Sequence, residues 1–397
     1  MRLLYVVQRY GASIAGGAEQ YCREVAERMT ARGHDVQVAT TCAESYVDWA
    51  NAYPRGVSEV NGIPVHRFPV TRPRSNDAFS ELDRRVRTSR TARPTALQRE
   101  WMRMLGPYAP ELPEWLRRRG RDFDCIVFVT YLYWTTWSGL RASVGVRPTL
   151  LHPTVHDEPA LQMSIYDEVF GSPDALALFV PEEADLIRRR FRREPQGAVV
   201  GIGVDLQRAD PARFRAAYPA LGSAPYLLYV GRMDPGKGAL ELYDFFVTYQ
   251  RRNGSDLKLV YLGDPLVGVP EHPDVLVTGF VEDDAVRNAA IAGAFALAQP
   301  SYFESFSMVL AEAFAQGRPA LVQRRCSVLL GHARRSNGAL PYAGFAEFEA
   351  ALDRLVGDPV LVEAMGRNGR RYVEQTYTWD LVLDRYEALL GRVAASA

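Results

Sequence analysis

At 397 residues the chain exceeds what one hydrophobic core ordinarily supports, and a prior of roughly 100–200 residues per domain implies two or three domains. Hydrophobic content of 47% with 24% charged residues excludes a disordered chain. Forty-seven basic residues balance 47 acidic ones, so the basic excess of a dedicated nucleic-acid binder is missing.

The first eleven residues, MRLLYVVQRYG, are apolar over too short a run for a signal peptide and predict a buried first strand. A glycine-bearing loop over 11–17 then leads into a periodic helix over 18–30, a turn at Gly33 and a strand over 36–40, which together make one βαβ unit. Residues 60–68 form a strand or hairpin arm around the turn dipeptide Asn61-Gly62. From 72 to 121 the composition changes. Arg84, Arg85, Arg87, Arg90, Arg93, Arg99 and Arg103 alternate with few long apolar residues, and Trp101, Met102, Met104 and Leu105 then come together. Two readings stand, a solvated helical insertion and a surface for anionic lipid or acceptor that would make a peripheral membrane contact.

Residues 124–130 are a buried strand, followed by Tyr131, Tyr133, Trp134 and Trp137. Aromatics there serve either the core or an acceptor site, because open α/β sheets bind ligands at the carboxyl ends of their strands. A strand over 147–152 ends in the loop holding His156, Asp157 and Glu158; strand, helix and strand follow over 175–202. Periodicity lapses over 203–225, which has the proline, glycine and charge of an interdomain connection.

The alternation then repeats: strand 226–230, glycine loop 231–238, helix 239–250, strands 258–262 and 275–278, helix 283–292 and strand 294–298. After Pro300 the chain enters an amphipathic helix capped by Ser305 or Ser307, with apolar positions Met308, Val309, Ala311, Phe314 and Ala315. A strand covers 319–322, residues 324–342 read as irregular, and helices cover 344–356, 360–375 and 379–393. The expected architecture is two facing doubly wound α/β domains, 1–203 and 204–378, with an interdomain cleft and a last helix from 379 to 397.

A helix N-terminus presents unpaired N–H groups and partial positive charge, so the start of the helix after Ser307 suits a phosphate. Glu304 before it and Glu312 within it are placed to accept hydrogen bonds from hydroxyls on either side of that phosphate, which describes a sugar joined through a diphosphate to a nucleoside. Both helical, the two would stand about 12 Å apart along the helix, too far for a retaining hydrolase's carboxylate pair at roughly 5 Å. Arg232 and Lys237 lie on a strand-to-helix loop where both converge on an anion. Gly238 stands where a P-loop needs Ser or Thr, which argues against an ATPase.

Gly16, Gly17 and Glu19 follow the first strand, where glycine admits close backbone approach, yet the loop fails G-x-G-x-x-G and with it a nicotinamide site. Asp122 and Asp124 spell D-x-D but open a buried strand and read as strand punctuation. No carboxylate and histidine cluster has metal-ligand spacing. Cys22, Cys42, Cys125 and Cys326 lack both C-x-x-C spacing and histidine neighbours, as reduced buried thiols of a cytoplasmic protein do. No run reaches the roughly 18 apolar residues of a membrane span.

Gly16-Gly17-Ala18-Glu19, His156-Asp157, Gly231-Arg232 with Lys237-Gly238, and Glu304 eight positions before Glu312, taken together, resemble the retaining glycosyltransferases of family 4, which have the GT-B fold. The resemblance implies that Arg232 and Lys237 hold the donor diphosphate, that Glu304 contacts donor-sugar hydroxyls and that Glu312 binds the ribose. It implies that Ser305, Phe306 and the backbone of Ser307, Met308 and Val309 meet sugar and phosphate, and that His156 lies by the reacting sugar. The nucleobase is expected at Gly279, Phe280 and Val281, with Gly16 and Gly17 near the donor. Glu19, Tyr131, Tyr133, Trp134, Trp137 and Asp157 are the acceptor-side expectation. The last helix would cross back to the first domain.

No cofactor is implied; a UDP- or GDP-sugar is the donor substrate, and a glycan, lipid-linked saccharide or small molecule the acceptor. The implied reaction is metal-independent front-face transfer with the departing phosphate as base. A nucleotide-sugar epimerase of the same fold and a non-catalytic nucleotide-sugar binder are the alternatives. Two departures stand out: Ser307 occupies a position where Gly is commonest, and the segment 323–340 lacks the usual Gly-Gly turn and following Glu.

Overall fold

The computed structural model describes residues 1–14, 16–88, 95–192, 194 and 196–395. The chain divides into two compact units, Met1–Val200 with Leu383–Ala397, and Gly201–Val382.

The first unit is built on eight strands: β1 Arg2–Val6, β2 Asp35–Thr41, β3 Gly56–Val60, β4 Ile63–Phe68, β5 Cys125–Val129, β6 Thr149–His152, β7 Ala175–Leu178 and β8 Gly197–Val199. Their order is β3-β4-β2-β1-β5-β6-β7-β8. Every pair is parallel except the β3–β4 hairpin, whose turn residues Asn61 and Gly62 both have positive φ, the primed geometry that matches strand twist. β5 is buried along its whole length, which is why it reads as an unbroken apolar run rather than an alternation. The helix Gly17–Ala31 carries the chain from β1 to β2 and buries Tyr21, Cys22, Val25, Ala26 and Met29 at helical spacing.

The arginine-rich stretch is helical over Asn76–Thr88, Ala96–Leu105 and Glu111–Arg119. Leu82, Val86, Trp101, Met102, Leu105, Leu112 and Leu116 from these helices join the core cluster of the first sheet, and Trp101 Nε1 donates to Asp83 at 2.8 Å. Arg90 and Arg93 lie outside the described residues, as does Ala15 of the first glycine loop. The last helix, Trp379–Ala395, gives the first unit its residues from Leu383 on: Asp384 and Glu387 take Arg32, and buried Tyr386 packs on His152.

The second unit has six strands, β9 Tyr226–Val230, β10 Lys258–Leu262, β11 Val275–Val277, β12 Ala296–Gln299, β13 Ala320–Gln323 and β14 Ala339–Tyr342. Their order is β11-β10-β9-β12-β13-β14, parallel throughout. One sequence expectation is corrected. Residues 324–342 are not irregular but form the helix Ser327–Ser336 and the edge strand β14. The helix buries Val328, Leu329, His332, Ala333 and Ser336, and its arginines mask that periodicity in the sequence. The strand contains Pro341 and sits on a sheet edge, where a missing N–H costs little. The stretch 203–225 likewise contains a short helix, Ala212–Ala217.

The helix Met308–Ala315 is backed by the helix Pro359–Thr376 through glycines. A Cβ on Gly369 would stand 2.5 Å from the Phe314 ring, and one on Gly366 2.2 Å from the Gly317 carbonyl oxygen. Gly369→Ala is therefore expected to cost about 1–3 kcal/mol, the usual penalty for overpacking. Urea denaturation of the full chain checks this, and an unchanged midpoint would show that the ring has room to move.

Candidate functional site

In each sheet the strand order reverses direction at one place, between β1 and β5 in the first unit and between β9 and β12 in the second. Loops leaving two such strands diverge and open a crevice at their carboxyl ends. In the second unit these are the loop after β9, which holds Arg232 and Lys237, and the loop after β12, which holds Glu304 and Ser307.

The loop after β9 is fixed from within. Tyr229 Oη donates to the Arg232 carbonyl at 2.7 Å, and Asp234 Oδ1 accepts from the Lys237 amide at 3.1 Å, closing the short 3₁₀ turn Pro235–Lys237. Gly238 follows with φ 70, and a Cβ there would come within 2.6 Å of the Pro300 carbonyl oxygen. Absence of a side chain thus lets the two loops touch. Lys237 Nζ reaches Glu304 Oε1 at 2.8 Å. Burial works against the charge on Lys237, but the Glu304 carboxylate outweighs it and holds the ammonium above its usual range. Arg232 stays half exposed, 3.9 Å from Asp234.

Glu304 is not helical, which corrects the assumption behind its 12 Å separation from Glu312: the helix begins only at Met308. Ser307 is the N-cap, in left-handed backbone at φ 72, and its side chain caps no amide of the first turn. Its hydroxyl accepts instead from Gln299 Nε2 at 3.0 Å, at the end of β12. The Phe306 ring is core, edge-on to His332 and Tyr377, while Ser305 is half buried. Met308 and Val309 are half buried in the first turn. One turn on, Glu312 Oε2 is bound by Arg287 Nη2 at 2.5 Å. Arg287 went unremarked in the sequence; its one signal is that it is a lone cation in the alanine-rich helix Asp284–Gly293. After β11, Gly279 has φ 72, Phe280 is exposed and Val281 is half buried.

In the first unit, Gly16 caps the helix that starts at Gly17, and Glu19 in its first turn is buried. Glu19 Oε1 accepts from Arg9 Nε and Gln8 Nε2, each at 2.9 Å. Arg9 and Gln8 are further residues the sequence did not single out. Tyr131, Trp134 and Trp137 are core positions, with Tyr131 Oη donating to Glu158 at 2.6 Å and Trp137 Nε1 to Glu168 at 2.9 Å. Tyr133 is half buried, edge-on to Trp49. Asp157 is exposed, and His156 Nε2 lies 3.8 Å from Glu158. Asp124 accepts the Arg2 amide and Asp122 pairs with Arg119, so the D-x-D spelling is spent on strand and helix ends. Among the described residues no three His, Cys, Asp or Glu side chains gather as a metal site would need, and no helix is long and apolar enough to cross a membrane.

Below His156 sits a buried acid. Glu183, in the first turn of the helix Pro181–Phe191, is 1% exposed and accepts the Val155 amide on Oε1 at 2.8 Å and the Phe179 amide on Oε2 at 2.7 Å. Burial pushes its carboxyl up to about 8 in spite of those two bonds.

Known families match both units. Residues 16–203 match the family described as "Glycosyl transferase 4-like domain" and residues 224–358 the one described as "Glycosyl transferases group 1". The chain belongs to the group 1, family 4 glycosyltransferases. Its fold is GT-B: the chain is similar over its whole length, with a TM-score of 0.72 and 16% identity, to all of the Anabaena Alr3699/HepE structure in complex with UDP-glucose. A D-inositol 3-phosphate glycosyltransferase of Saccharomonospora viridis is 26% identical, the alignment covering 98% of this chain and 93% of that protein. Another of that name, from Streptomyces bingchenggensis, is 29% identical over 56% of this chain, and the match spans about half (54%) of that relative's length. Of the classes weighed from the sequence, transferase is the one the family carries.

A pH dependence follows from Glu183. Its folded pKa lies above that of an unfolded glutamate, so the stability it contributes is complete below about pH 4.5 and is lost as pH rises towards 8, by at most about 1.4 kcal/mol per unit. Tyr21, facing it from the helix Gly17–Ala31, is itself shifted upwards by burial and stays neutral there. Glu183→Gln in the glycosyltransferase is expected to flatten this slope in denaturant titrations between pH 5 and 8.

Proposed function

We propose that this glycosyltransferase moves a sugar from a UDP- or GDP-sugar to a hydroxyl acceptor, with retention at the anomeric carbon and no requirement for a metal ion. The observation that carries the reading is the Lys237–Glu304 pair at 2.8 Å, held between two switch-point loops and three residues before the helix N-cap. Breaking the anomeric C–O bond leaves charge on the diphosphate, and preorganised cations and amides stabilise such charge best. Arg232 and Lys237 supply the cations, and the first-turn amides at Met308 and Val309 supply a helix N-terminus.

Glu304, oriented by Lys237, is assigned to donor-sugar hydroxyls, and Glu312, oriented by Arg287, to the ribose. The backbone of 279–281 is assigned to the nucleobase, and His156 to the reacting sugar. Retention by double displacement would need a carboxylate free to attack carbon. Both carboxylates of this constellation are tied to cations, which favours front-face attack: the acceptor oxygen bonds to the anomeric carbon as the C–O bond to the diphosphate breaks, and a phosphate oxygen takes the acceptor proton. HepE, whose structure contains UDP-glucose, supports the UDP arm of the donor class. Relatives named for D-inositol 3-phosphate support an acceptor rich in hydroxyls.

Lys237→Ala and Glu304→Ala are each expected to lower kcat/KM by on the order of 10²-fold or more, the scale of losing one electrostatic stabiliser of the transition state. A thermal-shift panel of UDP- and GDP-sugars identifies the donor first, because a ligand at 100 times its Kd stabilises the native state by about 2.7 kcal/mol. Turnover of that donor is then followed by NMR, which reads the product anomer, with and without EDTA. Near-normal turnover by either variant, or an inverted product, would overturn the reading.

A further inference from the structure

Glu183 is a buried acid to which the proposed reaction gives no task. Its surroundings are unusual for a carboxylate. It has two backbone amides as partners, and among the described residues no cation stands within ion-pair distance. Burying such a group is expensive, and an apolar residue of similar size would ordinarily suit the core better. What the carboxylate does accomplish is geometric. One oxygen holds the amide of Val155, next in the chain to His156; the other holds the amide of Phe179, just past the end of β7. The loop that carries Val155 is not in a relaxed conformation, since Thr154 just before it has φ 52, in the left-handed region that a β-branched residue avoids.

We propose that Glu183 is the positioning residue for His156, clipping the loop that carries it to the end of β7 and so fixing where the imidazole stands. The loop has other tethers besides this one. The Tyr131 amide holds the Pro153 carbonyl and the Tyr131 hydroxyl holds Glu158, which bracket the segment, and the Glu158 amide donates to the His156 carbonyl at 2.8 Å, which closes a turn within the loop without tying it to a neighbouring strand end. Among the described residues it is Glu183 that supplies the side-chain acceptor for the amide of Val155, the residue before the histidine. Two distinct oxygens are needed because the two amides come from different strands' ends. Glutamine offers only one acceptor oxygen, and its NH₂ would face the second amide donor to donor. Aspartate is shorter by one methylene and reaches one amide at most. The groups facing the carboxylate are the Tyr21 hydroxyl on the helix Gly17–Ala31 and, beyond it, the buried His152, whose Nδ1 lies 3.3 Å from that hydroxyl. Burial keeps Tyr21 and His152 neutral at working pH, so neither replaces the clip with an ion pair.

The proposal rests on the assignment of His156 to the reacting sugar, and a double-mutant cycle separates the two. Four full-length proteins are compared with the donor found by thermal shift: wild type, His156→Ala, Glu183→Gln and the double variant. Each is measured for kcat, donor KM and unfolding midpoint. His156→Ala is expected to reduce kcat by on the order of 10²-fold. Glu183→Gln is expected to lose on the order of 10–10²-fold in kcat, the scale of a misplaced catalytic group, with donor KM within about twofold of wild type. The double variant is expected to be no slower than His156→Ala, because a residue acting through another has nothing left to position. Should Glu183→Gln fail to fold, Glu183→Asp takes its place in the same cycle. Wild-type kcat in the Glu183 variant, or losses that multiply in full, overturns the proposal while leaving the glycosyltransferase reading intact. A fully active His156→Ala protein overturns the role of His156 and this proposal with it.

Discussion

Parallel pairing of strands constrains nearly everything else in this chain. A parallel strand cannot be followed by a tight hairpin, so the chain must leave its carboxyl end, run back along a helix and begin again. All strand-to-helix loops of a sheet therefore gather at one edge. In the second unit β9 and β12 are neighbours although some 65 residues separate them, and their loops diverge to opposite sides of the sheet. Lys237 and Glu304 meet across that divergence, and Gly238, lacking a Cβ, lets the loops close to contact. The candidate site residues fall on these loops because no other part of such a sheet presents side chains outward at one edge.

Charge placement at that edge follows a second rule. On the proposed reading a strongly anionic diphosphate lies at this edge, and two bare carboxylates beside it would repel it. Each of the two carries its own cation: Lys237 for Glu304 and Arg287 for Glu312. The pairs leave the glutamates able to accept hydroxyl hydrogen bonds through their remaining lone pairs while cancelling their field, and Arg232 adds one cation whose side chain stays half exposed. Glu19 in the first unit is treated alike, by Arg9. Glu183 is the exception. Among the described residues it has no cation partner, in keeping with the proposal that it holds backbone while the paired glutamates read a ligand.

The main alternation of strands and helices was legible because buried parallel strands read as apolar runs and their helices keep a 3.6-residue period, although the helices Trp134–Ser143 and Ile165–Gly171 were not among the expected elements. Positions of the site residues were legible as strand-to-helix loops. What escaped was pairing. Nothing in the local spacing of Arg287 or Arg9 says which carboxylate it will meet, since the contact is made by the sheet, 25 residues away in one case and 10 in the other. Residues 324–342 escaped for a different reason: four arginines and a proline hid a helix and an edge strand whose buried positions are nonetheless regular. The aromatic run at Tyr131, Trp134 and Trp137 has a composition that serves core and ligand equally, and burial decided for the core.

Ser307 shows how a departure from the family pattern is accommodated. A left-handed residue costs of order 1 kcal/mol unless it is glycine, whose freedom explains its frequency at this N-cap. Here the Gln299 amide donates to the Ser307 hydroxyl in a buried position, and such a bond is worth roughly 0.5–1.5 kcal/mol, enough to offset the strain. The same economy appears at Cys326, which stands within the segment lacking the usual Gly-Gly turn. Its sulfur meets the backbone amides of Glu304, Val328 and Leu329, and burial raises the thiol to about 11, so that it stays protonated and inert. Its side chain therefore also meets the loop of Glu304. Both substitutions exchange backbone freedom for a fixed contact against the loop of Glu304. Neither contact involves Arg232 or Lys237, so the stiffening falls on the Glu304 side of the candidate site.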